Sequence, residues 1–509
     1  METNKSSRTY NSKKNVFYGF LVTILNTLVA FVNRTFFVKC LGLEYLGLNG
    51  LFTEVVTMLS LAELGVGMAI NYSLYKPIHD NDYRKINQLM ALFRKTYNLI
   101  SIVILVLGII ILPFIHIIVK GTSFDLAYIR LVFLLFVINT SVSYLFSYNT
   151  SFITADQKQY IVSLTTSVFK IVFTVIAIII LVFTKSFVLY LVLLILQTFL
   201  TNVYLTYYVK SHYSFINFSD KLPVEERNRV FKDIKNIFIK RVSGVITSST
   251  TNVLISALIN TIQVGFYSNY LMIFSVIRTL NKQFSNGIKA SLGDVSVSEA
   301  PNNCILILRR LTFLFFGFSL VVCSGLVALC SDFITIWIGS EYVMKDSIVL
   351  VAVVILFIEI CSEPLWQYLE VSGLFKQDRN IAIIASVINL AVAIICGFQW
   401  GMIGILLGTL STQIIQIIFK SRLLFNNRFY FSSKGYLLFW AKIFFSFAIV
   451  IVAQLLLNRC LHFDNWLVSF IIKGIAATFF AIAALLLVFW KTPEFKYSIC
   501  LFKNIIRKQ

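Results

Sequence analysis

Long apolar runs follow one another along the whole chain of 509 residues. A helix rises about 1.5 Å per residue, so about 20 apolar residues are enough to cross a hydrocarbon core about 30 Å thick. Hydrophobic residues make up 58% of the sequence, and the mean hydropathy is +0.83. The runs lack the strict alternation of membrane β-strands. The sequence therefore predicts an all-α polytopic membrane protein with fourteen transmembrane helices, at residues 16–38, 48–73, 97–119, 126–150, 160–183, 187–209, 238–259, 263–281, 305–330, 346–370, 380–399, 402–420, 436–457 and 466–490.

The basic residues are distributed unevenly between the two sides of these predicted helices. If the N-terminus is inside, the inner segments hold most of the lysines and arginines that lie outside the spans, and the outer loops hold five. Lysine and arginine are retained on the cytoplasmic side during insertion, so both termini are predicted to be cytoplasmic. This topology, together with contacts to anionic membrane lipids, explains the net charge of +21, and nucleic acid is not a predicted partner.

Motifs for enzymatic chemistry and for metal binding are missing from the sequence. The eight cysteines form no CxxC pair, and the four histidines are scattered among different loops and helix ends. No phosphate-binding Walker loop and no GxSxG nucleophile elbow is present. We therefore expect no catalytic residues, no metal and no cofactor.

A weak internal repeat relates the two halves of the chain. A shift of 218 residues places Gly47 on Gly265 and Lys158 on Lys376. An even number of spans separates these positions, so the two halves are predicted to be parallel, pseudo-symmetric six-helix lobes. The predicted organisation is an N-lobe, a cytoplasmic linker with an amphipathic helix, a C-lobe, and two further helices with a basic cytoplasmic tail, at residues 1–209, 210–236, 237–425 and 426–509.

Charged residues inside the predicted spans are the main indicators of function. A charge at the centre of a membrane helix costs roughly 2.5–3.5 kcal/mol on insertion scales, so such residues should face another helix or an aqueous cavity. Several of the 44 basic residues lie in or at the ends of spans, and those least able to reach a membrane surface are Arg34, Lys170, Arg278, Lys442 and Lys473. The intramembrane acids are chiefly Glu54, Glu63, Glu359 and Glu363. The excess of positive charge favours an anionic substrate.

The region around the second span resembles a known family. The stretch "FFVKCLGLEYLGLNGLFTEVVTMLSLAELGVGMAINYSLYKP" is followed by the basic segment "DYRKINQLMALFRKTY". Together with the two predicted lobes, it resembles the polysaccharide transport family of the multidrug/oligosaccharidyl-lipid/polysaccharide exporter superfamily. This resemblance implies two six-helix bundles around a central cavity in the bacterial cytoplasmic membrane. It also implies a flippase that moves undecaprenyl-pyrophosphate-linked oligosaccharide repeat units of capsule, O-antigen or exopolysaccharide to the outer leaflet by alternating access. Polysaccharide polymerase and glycosyltransferases are the protein partners it suggests.

Basic residues in both lobes are the predicted substrate ligands. Arginine presents a planar fork that binds phosphate oxygens in pairs. Arg34 and Arg278 are therefore predicted to hold the pyrophosphate from opposite lobes. Arg34 lies at a depth similar to that of Glu54, so a structural ion pair between them is an equally open interpretation. Further candidate ligands are Lys170, Lys240 and Arg241.

The intramembrane carboxylates are candidates for coupling or gating. Glu54 is a candidate for gating through its possible pairing with Arg34. Glu63 has either a structural role or a role in proton or sodium coupling. Glu359 and Glu363 are its counterparts in the second lobe. Pro364 leaves a backbone carbonyl of the same helix without its usual partner, which predicts a kink and a hinge.

Two alternatives to the flippase remain from the sequence. The first is an ion-coupled exporter of drugs or other small molecules from the same superfamily, which handles mostly cations and should show an interior charge of the opposite sign. The second is a membrane scaffold or a glycosyl polymerase. A polymerase should carry a large outer loop with several arginines, and the predicted outer loops are short and nearly uncharged.

Overall fold

The structure is a computed structural model that describes residues 2–63, 66–218, 222–228, 230–231, 250–460 and 466–507. It divides into two compact units, Met1–Gly265 and Phe266–Gln509. Every regular element in the described ranges is helical, which confirms the all-α prediction. The helices of the first unit are α1 (Glu2–Leu41), α2 (Leu43–Leu59), α3 (Val66–Asp80), α4 (Tyr83–Ile111), α5 (Ile115–Ile118), α6 (Leu126–Leu145), α7 (Ser147–Ala155), α8 (Gln159–Thr184) and α9 (Phe187–His212).

The chain continues through a long helix into the second unit. This helix, α10, starts in the first unit, and the helices that follow it lie in the second. Their bounds are α10 (Thr261–Ser298), α11 (Pro301–Trp337), α12 (Asp346–Val371), α13 (Phe375–Trp400), α14 (Met402–Leu424), α15 (Lys434–Cys460), α16 (Trp466–Phe489) and α17 (Pro493–Arg507).

Eleven helices in the described part of the chain are long and apolar enough to cross a membrane. Three of the fourteen predicted spans have no counterpart among them. The span at 48–73 is divided into α2 and α3, which have 17 and 15 residues. The first half of the span at 238–259 lies outside the described residues, and the span at 263–281 lies in the more polar α10. The protein is therefore a multi-pass membrane protein, and the number fourteen stays a prediction.

Capping residues and one glycine define several helix ends in the first unit. The Asp82 and Asp125 side chains accept hydrogen bonds from the backbone N–H of Lys85 (2.9 Å) and Ala127 (3.0 Å). Each bond satisfies one of the amides that the first turn of a helix leaves unpaired. Gly42 separates α1 from α2 with φ of 87° and ψ of −174°, a conformation that only glycine adopts readily.

The first unit is built on pairs of long helices. In it, α1 packs along α8, α4 along α6, and α9 against both α6 and α8. Aromatic rings pack between helices of this unit, with Phe52 of α2 5.2 Å from Phe133 of α6, and Phe37 of α1 5.6 Å from Phe187 of α9, between ring centroids. Aromatic pairs at these distances and angles add packing energy beyond the area they bury.

The second unit has its own core. In it, α13 packs closely along α14, and α11 packs against α12, α15 and α16. The Phe357 and Phe447 rings stack with centroids 3.7 Å apart, and α17 packs on α11. Most of α12 is buried, which makes it the central helix of this unit.

The two glycines that the internal repeat aligns lie against each other inside the first unit. A Cβ atom on Gly265 would lie 2.5 Å from the carbonyl oxygen of Leu43 and 3.1 Å from the backbone nitrogen of Gly47. A Cβ atom on Gly47 would collide with the Thr261 carbonyl. Small residues let membrane helices approach to backbone contact, and here they do so where α2 meets the start of α10.

We expect Gly265→Ala to destabilise the protein by about 1–3 kcal/mol, because the added methyl group meets backbone atoms that cannot rotate away. The matched control is Gly287→Ala in the same helix, where a Cβ atom meets nothing within 4 Å. That change should be neutral or should stabilise by about 0.5–1 kcal/mol. Thermal unfolding of the detergent-solubilised variants measures both. Equal melting temperatures for the two variants would contradict this close approach.

Candidate functional site

The first group of candidate residues surrounds Glu63 in the first unit. The helix that carries it is interrupted: α2 ends at Leu59, a 3₁₀ turn covers Ser60–Glu63, and α3 begins at Val66. A second interruption, at Phe146, separates α6 from α7. Discontinuous membrane helices supply backbone groups and side chains that can hold ions, so these breaks mark the region as a candidate site.

Tyrosine hydroxyls lie beside the Glu63 carboxylate. A Cβ atom on Gly67 would be 3.1 Å from the Tyr97 hydroxyl and 3.2 Å from Glu63 Oε1, which places both groups around this glycine. Tyr144 is a further electrostatic neighbour of Glu63, and its ring stacks on that of Tyr97 with centroids 6.4 Å apart. The Tyr97 hydroxyl is 3.4 Å from Ser151 Oγ. Helices α3, α4, α6 and α7 therefore all contribute to the surroundings of this carboxylate.

Arg34 lies on α1 and is half-buried. Its electrostatic neighbour is Tyr190 of α9, whose hydroxyl accepts a hydrogen bond from Asn33 Nδ2 at 2.9 Å. The Tyr190 ring also packs edge-on against Phe37, with centroids 5.3 Å apart. The segment around Arg34 is thus anchored to α9. Arg34 keeps both interpretations from the sequence, which are phosphate binding and an ion pair with Glu54.

The remaining candidate ligands, Lys170, Lys240 and Arg241, and the other two intramembrane lysines, Lys442 and Lys473, differ in their surroundings. Lys170 is half-buried on α8, and Lys442 is exposed on α15. Lys240 and Arg241 lie outside the described residues. Lys473 pairs with Asp332 at 2.7 Å.

Three layers of polar contacts connect α10 and α12 in the second unit. In the first layer, Arg278 Nε donates to both carboxylate oxygens of Glu359, at 3.0 and 2.9 Å. In the last layer, Lys289 Nζ donates to Glu370 Oε2 at 2.8 Å. In each pair the two residues are 81 positions apart in the sequence. The two helices therefore run parallel and stay in register over three turns. We call this set of contacts the α10–α12 ladder.

The middle layer of the ladder contains no basic side chain. Ser285 Oγ donates to Glu363 Oε1 at 2.6 Å, and Gln367 Nε2 donates to both Glu363 Oε1 (2.9 Å) and Ser285 Oγ (2.7 Å). Glu363 is half-buried, and Pro364 is buried next to it within a helix that continues to Val371. The role of Pro364 as a hinge stays a prediction. The Glu363 carboxylate is thus held by neutral donors.

The sequence contained a signal for this ladder that residue-by-residue counting missed. Glu359, Glu363, Gln367 and Glu370 recur every three or four positions, which places them on one face of a helix. Sequence reasoning selected the first two as isolated acids and missed Ser285, Gln367 and the Lys289–Glu370 pair. A polar stripe along an otherwise apolar span indicates a neighbour with its own polar stripe.

Ion pairs also reduce the positive charge that the sequence appeared to leave inside the protein. Arg309 pairs with Glu494 at 2.7 Å, Lys420 with Asp378 at 2.9 Å, and Arg278 with Glu359. The acids Asp332, Glu370 and Glu494 were outside the original set of intramembrane carboxylates. The excess positive charge in the second unit is therefore smaller than the sequence suggests.

A bundle of long apolar helices with charged residues paired between them defines the class of the protein as a multi-pass helical membrane protein. A family model described as polysaccharide biosynthesis protein matches residues 12–281, more than half of the chain. The chain belongs to this polysaccharide biosynthesis protein family, which confirms the resemblance inferred from its sequence. No curated protein matches the sequence.

Solved structures share the fold at low sequence identity. A lipid II flippase, MurJ, in an inward closed conformation aligns with a TM-score of 0.68 and 18% identity, over 93% of this chain and 98% of the other. A multidrug resistance MATE family transporter of the MOP superfamily aligns in its inward-facing conformation with a TM-score of 0.65 and 15% identity, over 79% and 94%. An outward-facing structure described in the same terms aligns with a TM-score of 0.56 and 14% identity, over 81% and 95%. These similarities show a shared fold.

We expect Arg278 and Glu359 to depend on each other for stability. Arg278→Gln and Glu359→Gln should each destabilise the protein, and the double variant should lose less than the two single losses together. The interaction free energy between the two substitutions should be about 0.5–1.5 kcal/mol, because the pair is partly exposed and interhelical hydrogen bonds in membrane proteins are of this order. Chemical unfolding in detergent of the wild type, the two single variants and the double variant measures this interaction free energy. Lys442→Gln, at an exposed position, is the control. Strictly additive losses would show that the pair contributes no net stability.

Proposed function

We propose that this protein is a flippase that carries undecaprenyl-pyrophosphate-linked oligosaccharide from the inner to the outer leaflet of the bacterial cytoplasmic membrane by alternating access. The observation that carries this proposal is the family match over residues 12–281, because that family is defined by polysaccharide biosynthesis. A fold shared over nearly the full length of a lipid II flippase supports a lipid-linked substrate. Both termini would then be cytoplasmic, as the basic residues predict.

The geometry of Arg278 supports a role in binding the pyrophosphate. In the described part of the chain, its hydrogen bonds are those from Nε to Glu359. Among the described residues, this leaves the two terminal amino groups of the guanidinium for phosphate oxygens, which arginine binds in pairs. Glu359 would fix the orientation of the guanidinium and reduce the cost of keeping it in the membrane. Arg34 would contribute from the first unit, with Lys170, Lys240 and Arg241 as further contacts.

We assign the coupling of transport to an ion gradient to Glu63 and Glu363. Glu359 already faces a permanently charged guanidinium, so a transported cation would have to compete with it. Glu363 is held by a hydroxyl and an amide, and Glu63 has tyrosine hydroxyls beside it. Hydroxyl groups can donate to a carboxylate and accept from a carboxylic acid, so they can accompany a change of protonation. A proton or a sodium ion is the coupling ion we propose.

Substitution of Arg34 tests the substrate role. In vesicles, Arg34→Lys should lower the translocation of lipid-linked oligosaccharide moderately, because it keeps the charge and loses the fork. Arg34→Ala should lower it at least about tenfold, since one charge-assisted contact contributes about 1.5–3 kcal/mol. Lys442→Ala, at an exposed position, is the control and should transport as the wild type does.

A second set of variants distinguishes phosphate binding from charge neutralisation. If Arg34 only neutralises Glu54, the double variant Arg34→Ala and Glu54→Ala should recover wild-type transport, and the proposed phosphate role would be wrong. If the double variant is inserted and folded but inactive, the phosphate role stands. Transport of cationic dyes without any transport of lipid-linked oligosaccharide would favour the multidrug exporter instead.

The coupling assignment predicts how transport responds to an imposed ion gradient. Glu363→Gln keeps the hydrogen bonds of the middle layer and removes the titratable group, and Glu63→Gln does the same beside Tyr97. At least one of the two variants should transport at a rate that no longer depends on the gradient. Glu370→Gln, which removes the carboxylate paired with Lys289, is the control and should keep that dependence. Unchanged gradient dependence in both test variants would overturn this assignment.

A further inference from the structure

An open pocket lies at one end of the first unit, and none of its lining residues is a candidate site residue named above. It forms where three connections meet: the α3–α4 turn, the α7–α8 turn and the segment that follows α9. Its volume is about 780 Å³, within the range of about 300–1,000 Å³ typical of small-molecule sites. All fourteen lining residues belong to the first unit, at positions 75–86, 152–158 and 213–215.

Sequence segments that are far apart meet in this pocket. The segment "YKP" ends the stretch that carries the family resemblance, and "DYRK" begins the basic segment after it. The segment "ADQKQ" contains Lys158, one of the positions that the internal repeat aligns. Each of the three contributes lining residues, including Tyr75, Tyr83 and Asp156. The roles proposed above for the charged residues in the spans use none of these positions.

Side-chain amides fix the walls of the pocket. Asn87 Nδ2 donates to the Phe215 carbonyl at 2.9 Å, and its Oδ1 accepts from the Asn217 N–H at 2.9 Å. Asn15 Nδ2 donates to the Gln157 carbonyl at 2.8 Å, and its Oδ1 accepts from the Tyr160 N–H at 2.8 Å. These four bonds hold two of the three connections in place, so the pocket is preformed.

A hydrogen-bonded triad provides the polar surface of the pocket. Tyr213 Oη donates to Asp156 Oδ2 at 2.5 Å and accepts from Lys158 Nζ at 2.8 Å, and Lys158 also pairs with Asp156 at 2.7 Å. Burial and the nearby carboxylate raise the pKa of the Tyr213 hydroxyl above its ordinary value. The hydroxyl therefore stays protonated at neutral pH, and the three groups form a fixed set of donors and acceptors.

Aromatic rings form the other surface. Tyr75 and Tyr83 are each 50% exposed, and Phe215 lies 4.3 Å from the Tyr83 ring between centroids. Exposed rings fixed next to a polar triad bind ligands that have both an apolar face and hydroxyl groups. A site for phosphate alone would consist of donors, whereas this pocket combines the basic side chains of Lys76, His79 and Lys158 with the Asp156 carboxylate, an acceptor that phosphate oxygens cannot use. The combination instead fits a neutral, polyhydroxylated ring.

We propose that this pocket binds one or two sugar units of a neutral saccharide. The apolar face of a sugar ring would stack on Tyr83, and its hydroxyl groups would bond to the triad and to the amides of Asn81 and Gln157. The inference rests on the proposed function only for the origin of the saccharide, which would be the oligosaccharide of the lipid-linked substrate. The pocket would then select the sugar separately from the arginines that bind the pyrophosphate.

Saturation-transfer NMR on the purified full-length protein in nanodiscs tests this proposal. The probes are free glucose, galactose, N-acetylglucosamine and lactose, and at least one should receive magnetisation at its ring protons. Tyr83→Ala should weaken binding about 3- to 10-fold, as expected for the loss of one ring contact. Tyr207→Ala removes a tyrosine of α9 that is 68% exposed and outside the pocket, and it should bind as the wild type does. Asp156→Asn, which keeps the size of the side chain, should weaken binding as well.

Three results would overturn the proposal. The first is the absence of saturation transfer to all four sugars. The second is saturation transfer of wild-type strength in both Tyr83→Ala and Asp156→Asn. The third is displacement of the bound sugar by inorganic phosphate. The transport assay separates this inference from the proposed function. Sugar binding that depends on Tyr83 supports the pocket even if no lipid-linked oligosaccharide is transported. Normal transport without any sugar binding refutes the pocket alone.

Discussion

The second unit depends on one constraint: a charge placed in a membrane helix is costly to insert unless another helix supplies a partner. Water is not present in the hydrocarbon core to solvate it, and insertion of an unpartnered charge costs several kcal/mol. The second unit satisfies this constraint with the α10–α12 ladder and with pairs such as Lys473–Asp332. These pairs also fix the helix register, because a shift of one residue would separate all of them together.

The two units handle their carboxylates differently. In the second unit, α12 continues unbroken past Pro364, and its acids are held by side chains of α10. In the first unit, Glu63 lies at a break between two helices and has tyrosine hydroxyls beside it. Helix breaks allow the backbone itself to take part in a site. The polar residues that hold the carboxylates therefore differ between the two units, and the internal repeat stays a prediction.

Charge counting from the sequence did not show how the charged residues pair. The numbers of acids and bases favoured an anionic substrate, which stays a proposal. The same counting treated Glu359 and Arg278 as separate candidates, whereas the structure pairs them. It also left Asp332 and Glu494 aside, because both lie near span ends in the sequence. Their partners became apparent only when the helices were packed together.

The sequence by itself determined the all-helical membrane architecture and the family. Both follow from local features: the length of an apolar run compared with the thickness of the bilayer, and a contiguous stretch of recognisable residues. The repeat offset even identified Gly47 and Gly265, which the structure brings into backbone contact. Only the tertiary structure decided which charges neutralise each other, where the second span breaks, and which turns enclose the pocket beside Tyr83. Those outcomes depend on contacts between residues far apart in the sequence. The register of two packed helices is set by side chains on both of them, so neither helix specifies it alone.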